Sequence, residues 1–312
     1  MKSAFADRDE LLKNVSRSFY LTLRVLPRSI KSQLSLAYLL ARATDTVADT
    51  RLVDFRRRLD VLVEMRKCIQ EACGGRFLPT PDLKSFACND GKPEAEQILL
   101  SRFDVLLEGL KEFGPDDCCL IRNVLDFITR GQERDLILFG AASEDQIVAL
   151  RTDEELDCYT YDVAGCVGEF WTKLCRAHVF PSAGIDDGRL LADAVLFGKG
   201  LQLVNILRDL PGDLEQGRCY IPERRLGKYG LKPSDLLDTR FMLRFRPLYD
   251  RYLDQAAEHL RAGWRYTKSL PFRHVRVRLA CAWPVLIGLE TLARLRDGNI
   301  LDRSRRVKLF RP

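Results

Sequence analysis

The chain has 312 residues, enough to bury a large core as one domain or two. Its 46% hydrophobic and 30% charged content is that of a soluble globular protein. Its 50 basic and 44 acidic residues leave a formal charge of only +6, and nothing resembles a nucleic-acid module, so no nucleic-acid partner is expected.

Much of the basic excess falls near the end, in Arg294, Arg296, Arg303, Arg305, Arg306, Lys308 and Arg311. Residues 298–312 read as a basic tail, either solvated or in contact with an anionic membrane surface or a phosphate-bearing ligand. The ten cysteines show no CxxC pair and no clustering with His178, His259 or His274, so zinc is not expected. Residues 2–13 are charged and carry no apolar signal core. The expectation is a cytoplasmic protein with reduced core cysteines, peripheral membrane contact being left open. Nothing in the sequence fixes an oligomeric state.

Helical periodicity runs through the chain, and strand-like alternation is nearly absent. A first helix is predicted over 10–23, broken by Pro27. A second, apolar one follows over 29–49, and a charged amphipathic one over 51–73. Gly74-Gly75 ends the third helix, and the turn-rich segment up to Pro93 reads as a surface loop. Helices are predicted again over 93–113 and 115–139, Pro115 suiting a first helical turn. Thr152-Asp153-Glu154-Glu155 is a capping signature that opens a helix over 152–180. Further helices are expected over 187–210, 233–270 and 272–297, with a loop and short helix over 218–230. The apolar stretch 277–295 is interrupted by Arg278, Pro284, Glu290 and Arg294 and is read as a buried helix rather than a membrane span. The expected fold class is all-α, one domain over 1–312.

Two motifs carry the chemistry. Asp209 and Asp213 lie four apart, with Asn205 one turn before them; Asp45 and Asp49 repeat the spacing on another apolar stretch. Positions four apart share a helix face, where two acids repel unless a cation joins them. Mg²⁺ suits such a pair, because it is held by one or two carboxylates and bridges to substrate phosphates. Arg42 and Arg208 lie within the same helices, and arginine grips phosphate oxygens in bidentate fashion. The alternative is two acidic patches paired with arginines. Metals and arginines together would stabilise a departing diphosphate, and apolar helices would shield the carbocation left behind.

These motifs occur in an order that resembles squalene synthases and, more broadly, the head-to-head trans-prenyl synthases that include phytoene and dehydrosqualene synthases. The resemblance rests on Ser16-Arg17-Ser18-Phe19, on the run from Tyr38 to Asp49, on the run from Tyr159 to Gly168, and on the stretch from Gln202 to Asp213 followed by Gln216-Gly217-Arg218-Cys219-Tyr220-Ile221-Pro222. It implies the all-α isoprenoid synthase fold with a central active-site cavity, and farnesyl diphosphate as substrate. It further implies Asp45, Asp49, Asp209 and Asp213 as Mg²⁺ ligands and Arg42 as a diphosphate contact. Ser16, Arg17, Ser18, Phe19 and Tyr38 match positions that seat a prenyl diphosphate. Tyr159 matches the tyrosine of the first half-reaction, although a phenol titrates near ~10 and would need help to act as a base. Val163, Ala164, Gly165 and Gly168 put small residues on one helix, for close packing, for a prenyl chain, or for both. Gln202 and Asn205 match polar cavity positions or are satisfied core amides.

Product choice stays open on the sequence. Squalene requires reduction by NADPH, for which Asn205, Arg208 and Lys308 are the candidate contacts. A synthase that stops at presqualene diphosphate, or makes hydroxysqualene, dehydrosqualene or phytoene, needs no reductant. A silent helical protein that binds prenyl diphosphates is the alternative from another class. Three departures from the family pattern stand out. Ala48 replaces an acid common in eukaryotic relatives, Ala280 replaces an aromatic, and Pro211 interrupts the second motif, so Asp213 is expected to lie off an ideal helical face.

Overall fold

The computed structural model describes residues 10–16, 20–50, 52–87 and 94–302. Arg17, Ser18, Phe19 and Lys308 therefore lie outside the described residues. Helices dominate as expected. Among the described residues the strands are two-residue pieces, β1 (Val148–Ala149) and β2 (Arg218–Cys219), paired in parallel. The chain divides into two compact units. The first comprises Met1–Ile137, Phe170–Ala183 and Arg273–Ala280; the second comprises Leu138–Glu169, Gly184–Phe272 and Cys281–Pro312.

In the first unit, the helix expected over 10–23 is two pieces, α1 over 10–15 and α2 (Tyr20–Arg24), and Ser16 lies outside both. Helix α3 (Arg28–Ala48) starts after Pro27, a position that needs no N–H. It buries Ile30, Leu36, Leu39, Leu40, Ala43 and Val47. Thr44 and Thr46 are buried with them, their hydroxyls donating to the carbonyls of Ala41 and Arg42 at 2.8 Å. Helix α4 (Phe55–Cys73) begins four residues later than predicted, because Asp54 is extended and accepts from the Arg56 N–H at 2.9 Å. A short α5 (Lys84–Ala87) interrupts the expected loop. The helix predicted over 93–113 is α6 (Glu94–Ser101), α7 (Phe103–Glu108) and a 3₁₀ turn. Helix α8 (Pro115–Phe139) has the predicted bounds.

In the second unit, α9 (Asp153–Thr160) carries the predicted cap. Thr152 Oγ1 accepts from the Glu155 N–H at 3.3 Å, and Glu155 Oε2 accepts from the Arg151 N–H at 2.6 Å. A π turn (Tyr161–Gly165) then breaks what the sequence presents as one helix, before α10 (Cys166–His178). Helix α11 (Asp187–Glu215) is capped by Asp186 and packs Leu203, Ile206, Leu207 and Leu210 into the unit's core. Phe245, Leu248, Tyr249 and Leu253 of α13 (Met242–Ser269) join the same core, with α12 (Glu223–Gly227) nearby in the chain. Helix α13 starts nine residues after the predicted 233, because Asp238 is extended and caps a 3₁₀ turn at Thr239–Phe241.

Two helices depart from expectation in ways that matter. Helix α11 does not stop at residue 210 but passes through buried Pro211 to Glu215. Proline cannot donate to the carbonyl four residues back, that of Leu207. The Tyr249 hydroxyl donates to this carbonyl instead, at 3.0 Å. Helix α14 (Val275–Arg296), expected to be buried, is buried on one face only: Val277, Cys281, Val285 and Leu292 are enclosed, whereas Trp283, Leu286 and Ile287 are exposed. By length and composition α11 is apolar enough to cross a membrane, but half of the qualifying stretch is buried inside the protein. Of the described cysteines none is in a disulfide, and most are core residues as expected; Cys119 and Cys158 are exposed instead.

Candidate active site

The first acidic face closes α3. The Asp49 N–H donates to the Asp45 carbonyl at 2.9 Å, so the helical register runs through both acids and places them one turn apart. Both lie at the C-terminal end of the helix, where unpaired carbonyls add negative potential. A carboxylate pair there is unfavourable by itself and attractive to a cation. Crowding by protein and the charge of Asp49 push the Asp45 carboxyl above the ordinary carboxylate range, against the opposing pull of Arg42. Arg42 Nη1 donates to Asp45 Oδ2 at 2.5 Å, and Nη2 donates to Glu96 Oε1 at 2.6 Å. Tyr38, one turn before Arg42, places its hydroxyl 3.4 Å from the Val15 carbonyl. Ser16 is buried, and its Oγ has no hydrogen-bond partner among the described residues.

Ala48, the position at which one possible ligand is missing, is buried. It is packed with Leu62 and Leu136, and its carbonyl accepts from Arg58 Nη1 at 2.9 Å. Ala280 is likewise buried.

The second face lies on α11. Asn205, Asp209 and Asp213 follow at four-residue spacing near its C-terminal end, with Gln202 one turn earlier. Because Tyr249 repairs the bond lost at Pro211, Asp213 remains on the helix, and the expected departure from the helical face does not occur. Asn205 and Asp209 are exposed, whereas Gln202 and Asp213 are half-buried. Arg208 grips both oxygens of Asp209, Nε to Oδ1 at 2.8 Å and Nη2 to Oδ2 at 2.6 Å, and these bonds raise the guanidinium pKa.

Tyr159 is half-buried at the end of α9 and stacks on Tyr220, centroids 4.7 Å apart and planes 26° apart. Tyr220 in turn meets Phe139 edge-on at 5.2 Å. The paired π faces offer a negative surface to a cation. Close packing accounts for the small residues nearby. A Cβ at Gly168 would lie 2.1 Å from the Ala194 carbonyl oxygen, and one at Gly198 2.2 Å from that of Ala164. Val163, also in the π turn, is half-buried. Such a turn inside a helix is frequent at functional sites.

The donor set fits magnesium. Each face offers a carboxylate pair, and among the described residues no three acid, histidine or cysteine groups form a cage. A cation held by one or two carboxylates and completed by phosphate and water matches Mg²⁺. Glu96 and Tyr220 are the residues that motif spacing did not single out for the site.

The profile of squalene/phytoene synthases matches residues 12–311. The chain belongs to this family. It is 25% identical over 286 residues to a squalene synthase of Dictyostelium discoideum, covering 91% of this chain and 62% of that protein, so it spans about three fifths of that relative's length. A ligand complex of TcSQS superposes with a TM-score of 0.76 at 22% identity, covering 99% of this chain and 83% of that one. The squalene synthase HpnC from Alicyclobacillus acidocaldarius gives a TM-score of 0.68 at 20% identity, covering 95% and 94%. The fold is therefore the isoprenoid synthase fold that the sequence resemblance implied.

Proposed function

We propose that this family member is a Mg²⁺-dependent squalene synthase that joins two molecules of farnesyl diphosphate. The observation that carries the reading is the placement of both carboxylate pairs at helix C-termini, each with an arginine already on one acid. Asp45, Asp49, Asp209 and Asp213 would hold Mg²⁺, which when bound supplies charge neutralisation to a leaving diphosphate. Arg42 and Arg208 would donate to diphosphate oxygens on release from Asp45 and Asp209. Ser16, Tyr38, Gln202 and Asn205 would seat the substrates, with Arg17, Ser18 and Phe19 added by motif alone. The stacked Tyr159 and Tyr220 would face the allylic cation. Proton loss after attack by the second double bond gives presqualene diphosphate, with Tyr159 the candidate carrier of that proton.

Reduction of presqualene diphosphate to squalene would take hydride from NADPH as co-substrate, with Asn205, Arg208 and Lys308 as candidate contacts. A second reading, release of presqualene diphosphate or an unreduced product, is favoured by one observation: the small, buried Ala280 stands where squalene synthases commonly have an aromatic. Incubation with farnesyl diphosphate and Mg²⁺, with and without NADPH, separates the two. Squalene with NADPH and presqualene diphosphate without it supports the first reading. The same unreduced product in both arms supports the second.

A cytoplasmic protein in peripheral contact with membrane is the accompanying proposal. Exposed Trp283, Leu286 and Ile287 on α14 and the basic tail support it. Co-sedimentation with phosphatidylglycerol vesicles tests it, and equal recovery of wild type and Trp283→Ser/Ile287→Ser in the supernatant would count against it.

A further inference from the structure

We infer that Glu96, which lies in neither acidic motif, is a positioning residue that holds the Arg42 guanidinium ready for a diphosphate group. The inference rests on the function proposed above and assigns a part to a residue 54 positions away in sequence.

The guanidinium is planar and carries its donors in a fixed fork. In Arg42 one arm meets Asp45 and the other meets Glu96. Its Nε is buried with no partner among the described residues. The three side chains differ in enclosure: Asp45 is 40% exposed, Arg42 26% and Glu96 12%. The exposed carboxylate is the one able to change partners, and Asp45 is also the acid that a cation beside Asp49 would draw away. Glu96 is enclosed and keeps its bond.

The two acids thus have separate tasks. When Asp45 turns to a cation, Nη1 is released to donate to a diphosphate oxygen, while Glu96 fixes Nη2 and therefore the plane of the fork. Without Glu96 the guanidinium would follow Asp45, and a partly buried donor would lose its acceptor. The charge of Asp45, Asp49, Glu96 and Arg42 is net negative whether or not Asp45 holds a proton, which leaves the face attractive to a divalent cation.

The test measures binding of inorganic diphosphate in Mg²⁺ by calorimetry. It uses wild type, Arg42→Ala, Glu96→Ala, Glu96→Gln and the double variant Arg42→Ala/Glu96→Ala. Glu96→Ala is expected to weaken binding about tenfold, the loss of one charge-assisted bond. Glu96→Gln keeps an acceptor at the same place and should restore most of that loss. In the Arg42→Ala background, removing Glu96 should cost nothing further, since its effect passes through Arg42. Wild-type affinity in Glu96→Ala, or additive losses in the double variant, would overturn the inference while leaving the functional reading intact. Absence of diphosphate binding by the wild type would overturn both. If Glu96→Ala fails to fold, Glu96→Leu, which removes the acceptor at similar volume, takes its place in both Arg42 backgrounds, with the same tenfold loss expected beside Arg42 and none in Arg42→Ala.

Discussion

At each acidic face an arginine already occupies oxygens that a metal ion would take. Arg42 holds Oδ2 of Asp45, and Arg208 holds both oxygens of Asp209. On the proposed function, loading either face would exchange an arginine for a cation, and the displaced arginine would then be free to meet phosphate. The small residues act by a different principle, exclusion of volume. A methyl group at position 168 would sit 2.1 Å from a backbone oxygen that cannot rotate away. Gly168→Ala should lower stability by about 1–3 kcal/mol through overpacking, measured as a lower urea midpoint. An unchanged midpoint would mean that the spacing of the helices yields more easily than the packing implies. The helical pairing of the four aspartates was legible because each partner lies four positions away. Glu96 was not, because its meeting with Arg42 joins two helices 54 residues apart, and no periodicity encodes that.

Among the elements, α11 depends on a side chain of another helix. Tyr249 is fully buried, and its hydroxyl is the donor that Pro211 cannot be. Tyr249→Phe should cost about 1–3 kcal/mol by leaving the Leu207 carbonyl unsatisfied, read from denaturant melts. It should also lower activity, since Asp213 lies beyond the proline. Wild-type stability in this variant would show that the carbonyl finds another donor. The sequence predicted a helix end at residue 210 because proline is a local signal, whereas its compensation comes from a residue 42 positions away.

A second link ties α9, α12 and α13. Asp153 accepts from Arg225 and, at 3.1 Å, from the Tyr252 hydroxyl. Burial would raise its carboxyl, but these bonds and the Arg225 charge outweigh burial and hold it below the ordinary carboxylate range. A carboxyl depressed in the folded state gives stability that is present above its unfolded value near ~4 and lost as pH falls through the folded value. Asp153→Asn should therefore flatten the acid limb of the stability curve below about pH 4 and leave the slope near neutrality unchanged. An identical acid limb in variant and wild type would remove Asp153 from the account.

On the scale of the molecule, the all-α class follows from the helical periodicity of nearly the whole chain. The limits of its helices were legible where a local cap marks them, as at Thr152 and Pro115. They were lost where a π turn, an extended aspartate or a distant hydroxyl intervenes, as at Tyr161–Gly165, Asp238 and Pro211. Each compact unit carries one acidic pair, Asp45 and Asp49 in the first, Asp209 and Asp213 in the second. On the proposed function, each pair would be needed for departure of diphosphate. The most direct test is the rate of inorganic diphosphate release from farnesyl diphosphate by wild type, Asp45→Asn and Asp209→Asn, each with Mg²⁺ and with chelator. The account predicts release that stops on chelation and falls about 10²-fold or more in each variant. Release at the wild-type rate in either variant, or release that persists without divalent cations, would contradict it.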